Sequence, residues 1–154
     1  MKNKAYFILI LLFFSLGGLV SFVSSTNADK CTGDNEYGVG ITSLGTFKLI
    51  KDYRISLKAD PKAPPSESFM VSLKSGLKYR FLPINNSENK KKMIMSVYLN
   101  QQKGMILGTS YNKAASKHYP SFDINCKTTG TFYIFFEFEG GEKGCGVGMF
   151  AVEN

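Results

Sequence analysis

The chain has 154 residues and a formal net charge of +7, with 44% hydrophobic and 20% charged residues. That length builds one core rather than two, and the absence of any long polar tract excludes wholesale disorder. Fifteen glycines, 13 Phe, 8 Tyr and no Trp suit β-structure and exclude a collagen-like chain or a long coiled coil.

Residues 1–28 read as an export signal. Lys2 and Lys4 precede a continuous apolar run from Ala5 to Phe14, which tapers through Gly17-Gly18 into small residues. Val23-Ser24-Ser25 allows cleavage before Thr26, and Thr26-Asn27-Ala28 allows it before Asp29. Ala5 to Val23 also approaches spanning length, so an uncleaved signal is the one route to membrane attachment. Asp29-Lys30 before Cys31 lacks the small residue that lipid attachment needs. Residues 29–154 then form a single domain, exported to the periplasm or outside the cell.

Losing Lys2 and Lys4 takes the basic residues from 19 to 17 against 12 acidic ones, a net +5. The lysines are scattered singly, and Lys90-Lys91-Lys92 reads as a solvated loop. Nucleic acid is not an expected partner.

Period-two alternation runs through residues 47–152. Phe47, Leu49, Tyr53, Ile55 and Leu57 share parity, and a rigid proline loop follows at 60–66. Phe69, Val71 and Leu73 alternate, turn at Lys74-Ser75-Gly76, and continue as Leu77, Tyr79 and Phe81. Met93, Met95, Val97 and Leu99 lead through a turn to Met105-Ile106-Leu107, a predicted hairpin, with these methionines as core filler. Residues 112–117 suggest one helical turn. Phe122, Ile124 and Cys126 precede 131–138, a central strand whose Phe132, Ile134, Phe136 and Phe138 face the core. Its Tyr133 and Phe135 make the other face partly apolar, so that cover is expected on both sides. Cys145, Val147, Met149 and Ala151 form the last strand, expected to pair with 131–138 as a hairpin.

Seven or eight short strands and no amphipathic helix predict an all-β chain. The architecture is a two-layer antiparallel β-sandwich, jelly-roll-like, with lysine-rich outer faces.

Phe69 to Phe81, with its Gly76, Tyr79 and Phe81, resembles a signature of bacterial pre-peptidase C-terminal (PPC) domains. Tyr119-Pro120-Ser121-Phe122-Asp123-Ile124 and Thr129-Gly130-Thr131-Phe132-Tyr133-Ile134 resemble that family's closing strands. The resemblance implies a small secreted sandwich without chemistry of its own. The chain departs from that family in standing without a catalytic domain and in adding Cys31 and the glycine-flanked Cys145.

No enzyme, cofactor or metal site is expected. His118 is the only histidine and reads as a loop residue. Asp34-Asn35-Glu36 reads as a turn rather than a calcium loop. The alternative is a secreted hydrolase with an atypical site around His118, Glu137 and Glu139. The favoured function is a non-catalytic binding or assembly module of the bacterial envelope or secretome, acting through sheet faces and loops. A protein partner is favoured. A glycan would need a platform from Tyr98, Tyr111, Tyr119 or Tyr133.

Three cysteines in an oxidising compartment imply one disulfide. In the expected hairpin, Cys126 and Cys145 lie about 20 Å apart at ~3.3 Å per residue, too far to bond. Cys31–Cys145 is the expected pair, with Gly144 and Gly146 allowing close approach, and Cys126 remains free.

Overall fold

The alternating segments assemble into strands in a computed structural model that describes residues 31–60 and 62–154. The expected export signal and both its cleavage sites lie outside the described residues. The described chain begins with helix α1 (Asp34–Ser43), then β1 (Phe47–Leu57), β2 (Ser66–Leu73), β3 (Lys78–Asn85) and β4 (Met93–Tyr98). It continues through β5 (Ile106–Thr109), β6 (Tyr111–Asn112), β7 (Lys117–His118), β8 (Phe122–Asn125), β9 (Gly130–Phe138) and β10 (Gly144–Glu153).

Eight of these strands make two antiparallel sheets of four. Sheet A has the order β1-β10-β3-β8 and sheet B the order β2-β9-β4-β5. Successive strands switch sheets except along the β4–β5 hairpin, so the chain wraps in a jelly-roll-like order. Strands β6 and β7 form a separate two-stranded ribbon where one helical turn was expected, because Tyr111 and His118 pair across it.

The main core fills the space between the sheets. Phe132, Ile134, Phe136 and Phe138 of β9 meet Tyr53 and Ile55 of β1, Tyr79 and Phe81 of β3, and Met93, Met95 and Val97 of β4. Phe136 lies 5.6 Å from the Tyr53 ring centre and 6.0 Å from that of Phe69. Phe81 stacks between Phe122 and Phe150 at 5.1 and 5.2 Å. Met105 is exposed rather than core, since it precedes β5 at the hairpin turn.

The N-terminal segment corrects the expectation of a helix-free chain. Two glycines and three β-branched residues make Asp34–Ser43 an intrinsically weak helix, so tertiary packing must hold it. Asp34 and Glu36 sit in its first turn, favourable to the helix dipole. Gly40 lies so close to sheet A that a Cβ would come within 2.5 Å of the Met149 side chain. Leu44, Phe47, Leu82, Val147, Met149 and Ala151 form a second core beneath the helix.

Two strands therefore use their faces differently from the simple alternation. A bulge between Leu49 and Lys51 in β1 reverses its parity. Phe47 and Leu49 join the second core, whereas Tyr53, Ile55 and Leu57 join the main one. In β10 the apolar set Val147, Met149 and Ala151 faces the helix, and the glycine set faces the other sheet. A Cβ at Gly148 would collide with the Phe136 ring, and one at Gly144 would come within 2.5 Å of Phe138.

The expected hairpin between 131–138 and 145–152 does not form: β9 belongs to sheet B and β10 to sheet A. The turn at Glu139–Gly141, with positive φ at Gly140 and Gly141, crosses between layers instead. Cys31 is joined to Cys145 with Cα atoms 5.6 Å apart, and Cys126 is a buried free thiol. The separation of Cys126 from Cys145 comes from β3, not from a hairpin. The Cys126 amide donates to Leu77 and the Asn86 amide donates to Cys145, at opposite ends of that strand and about 30 Å apart at ~3.3 Å per residue.

Candidate binding face and cleft

The outer face of sheet B departs from the lysine-rich surface expected of both sheets. No described element gives β9 the cover expected on both its sides, because helix α1 packs on sheet A instead. Register sets its composition. Met70 of β2 lies opposite Tyr133 of β9, Tyr133 opposite Tyr98 of β4, and Tyr98 opposite Ile106 of β5. Directly opposed residues share a face with Cβ atoms about 4.5–5.5 Å apart, so the four side chains form one row across the whole sheet. Met70 is 70% exposed and Ile106 48% exposed.

Around this row the strands present hydroxyls: Ser66, Ser68 and Ser72 from β2, Ser96 from β4, Thr109 from β5 and Thr131 from β9. The Ser96 hydroxyl donates to that of Thr109 at 2.9 Å. Glu137 is neutralised by Lys103 at 3.1 Å, and the Lys103 ammonium lies 4.8 Å from the centre of the Phe135 ring. Tyr98 packs edge-on against Phe135 at 5.4 Å. Leu99, Met105 and Leu107 are exposed at the end of the β4–β5 hairpin.

Next to that hairpin the edge strands β5 and β8 enclose a cleft. At Gly108 the sheets close tightly, since a Cβ there would lie 2.7 Å from the Phe122 ring. Farther along they part around an open hollow of about 690 Å³, bordered by Leu99, Leu107 and the polar segment 125–131, with the buried Leu73, Ile124, Cys126 and Phe132 beneath it. The Cys126 thiol donates to the Thr128 carbonyl at 3.1 Å.

The four tyrosines singled out from sequence divide into two pairs. Tyr98 and Tyr133 belong to the sheet B row. Tyr111 and Tyr119 belong to the β6–β7 region, where Tyr111 stacks on His118 at 4.4 Å and Lys117 lies 5.2 Å from the Tyr119 ring centre. No single platform unites them.

The suggested hydrolase constellation is divided as well. His118 Nε2 lies 3.6 Å from Glu139, which also accepts a hydrogen bond from Tyr111 at 3.3 Å and lies 3.8 Å from Lys91. Glu137 points outward from β9 to Lys103 instead, because odd positions of β9 face away from the core. A small hollow of about 250 Å³ beside His118 is lined by Pro83, Asn85, Lys92 and Tyr119 among others, with no serine, threonine or cysteine. His118 and Glu139 thus tie the ribbon to the Glu139 turn, apart from Glu137.

No protein-family model matches the chain, and no curated protein matches its sequence. Among solved structures it is similar to "Aeromonas hydrophila PliG, a periplasmic lysozyme inhibitor of g-type lysozyme". The TM-score is 0.48 at 9% identity, covering 67% of this chain and 83% of that one. At that distance the likeness carries no argument about ligand or activity.

The charged residues concentrate on sheet A. Arg80 holds Asp123 through two bonds of 2.8 and 2.9 Å, and Lys78 bridges to Glu153 at 3.0 Å. The Arg80 hydrogen bonds, reinforced by its charge and that of Lys78, hold the Asp123 carboxyl below its usual range. Asp34 and Glu36 belong to α1: Asp34 pairs with Arg54 at 2.9 Å, and Glu36 accepts from Asn86 at 3.0 Å. Among the described residues no three His, Cys, Asp or Glu side chains are grouped to hold a metal ion.

Proposed function

We propose that this chain is an exported, non-catalytic binding module whose outer sheet B face docks a protein partner. The row Met70–Tyr133–Tyr98–Ile106 carries the proposal. Protein interfaces are depleted of charge at their centre and enriched in Tyr, Phe and Met, and tyrosine supplies large contact area at low entropic cost. This face has that composition, with hydroxyls filling the positions between the aromatics. The Cys31–Cys145 bond and the N-terminal signal pattern support an oxidising, exported setting. The PPC-like cadence, that of a small secreted sandwich, belongs to the same proposal.

Affinity recovery from envelope extracts tests it, using the natural protein and the Tyr98→Ala/Tyr133→Ala variant in parallel. A discrete protein recovered at least tenfold less by the variant supports the proposal. Equal recovery by the two would contradict it.

A further inference from the structure

The outer row of sheet B ends at Met70, on an edge strand that is open as well. We propose that β2 pairs antiparallel with β2 of a second copy of this chain. The two B sheets then join into one of eight strands, with Met70 on the two-fold axis.

The sandwich edges differ in how they resist strand addition. β1 carries a bulge between Leu49 and Lys51 together with Lys48 and Arg54, and β5 and β8 are only four residues long. Bulges, charges and short length all discourage pairing. β2 has eight residues in unbroken register with β9 and no lysine, arginine or proline. Its backbone direction follows from β4, where the Met95 carbonyl accepts from Ser110 beside β5. Successive residues turn their backbone groups to opposite sides, so Ser96 turns to Phe135 of β9, and Ile134 of β9 turns to Phe69 of β2. The N–H and C=O groups of Ser66, Ser68, Met70 and Ser72 therefore point away from the sheet, and no described residue bonds to them.

Self-complementarity selects a second copy. A two-fold axis at Met70 sets Met70 against Met70, Ser68 against Ser72, and Phe69 against Val71, an aromatic–β-branched pair. Met70 is 70% exposed, the most of any large apolar side chain among the described residues, and gains a neighbour there. The single charge of β2, Glu67, comes opposite Leu73. The two carboxylates then lie about 20 Å apart, six residues at ~3.3 Å each and beyond a Debye length of ~8 Å. Strands this short fall below the ~20–30 residues a side of a standard interface, so dissociation at about 10–100 μM is expected. The inference does not rest on the docked protein, because the outer face stays open in the pair.

Sedimentation equilibrium of the purified protein, processed as its host processes it, tests this at up to about 1 mM. Monomer and dimer should be present, with no larger species. Ser68→Pro removes an outward N–H and no bond to β9, and should weaken the dimer about tenfold or more. Ser68→Lys/Ser72→Lys should abolish it. Ser68→Lys/Ser72→Glu should instead tighten it about two- to tenfold, through two cross-strand ion pairs. An unchanged melting temperature confirms folding of each variant. A monomer at every concentration would overturn the proposal and leave docking on the sheet B face untouched. So would a dimer indifferent to Ser68→Pro, or one weakened equally by the two charge variants.

Discussion

The two sheets carry apolar side chains on their outer faces, and only one of those faces is covered. On sheet A, Leu82, Val147, Met149 and Ala151 lie beneath helix α1 and form a second core. On sheet B, Met70, Tyr133, Tyr98 and Ile106 form a continuous row that no described helix covers. The covering helix is weak by composition, and it is held by packing at Gly40 and by the Cys31–Cys145 bond just before its first turn. The face that was worth covering for stability received a tethered lid, whereas the other kept its apolar row among serines and threonines. That uncovered row is the surface on which the proposed docking rests.

The comparison can be broken at its shared base or sharpened at its two surfaces. The largest effect belongs to Phe136, wedged between the sheets against Tyr53 and the Cα of Gly148. Phe136→Ala should cost about 3–5 kcal/mol in chemical denaturation, as other large core truncations do. A midpoint unmoved by that change would dissolve the sandwich on which both faces depend. Two methionines then report on the faces themselves. Met149 is 0% exposed beneath α1 and Met70 is 70% exposed on sheet B. Met149→Ala should cost about 2–4 kcal/mol, and Met70→Ala should stay within about 0.5 kcal/mol. Equal losses at the two sites would mean that sheet B is covered after all.

The tether comes next. Replacing Cys31 and Cys145 together by serine should cost about 2–4 kcal/mol, since the bond closes a long loop in the unfolded chain. Hydrogen exchange should rise first in α1 and leave sheet B unaffected; the reverse order would contradict the assignment of the lid. A smaller, pH-dependent effect lies under sheet A. Burial pushes the Tyr53 phenol from 10.0 up to about 12, and its hydroxyl is buried without a hydrogen-bond partner. The folded state thus favours the neutral phenol, which the unfolded chain ionises near pH 10. That contribution is complete below pH 10 and is lost as pH rises toward 12. Denaturation midpoints should fall across this window, and Tyr53→Phe should flatten the fall without loss at neutral pH. An unchanged slope in the variant would remove Tyr53 as its source.

Strand positions were legible because period-two alternation is a local property, and β9 with its four core-facing apolar residues declares itself a central strand. Assigning faces to layers needed more. Ile50 is apolar, so nothing in the sequence of β1 announces the bulge that turns Phe47 and Leu49 away from Tyr53. In β10, Val147, Met149 and Ala151 imitate the inter-sheet face, yet the space between the sheets is filled by the rings of Phe136 and Phe138. Only glycine fits opposite them. Helix α1 was hidden because Gly38, Val39 and Gly40 oppose helix formation until sheet A packs against them. The sheet B row was hidden for another reason. Tyr98 and Tyr133 were singled out singly, but their alignment with Met70 and Ile106 exists only through long-range register. The division of His118 and Glu139 from Glu137 is likewise a matter of which face each strand residue takes.

The central claim is that the uncovered face of sheet B receives the partner. A photo-crosslinking amino acid placed at Met70 tests it against one placed at Val39, which is exposed on the helix covering sheet A. Irradiation in cells should join position 70 to one discrete protein, while position 39 gives none. Crosslinking to that protein from position 39 but not from position 70 would contradict the account.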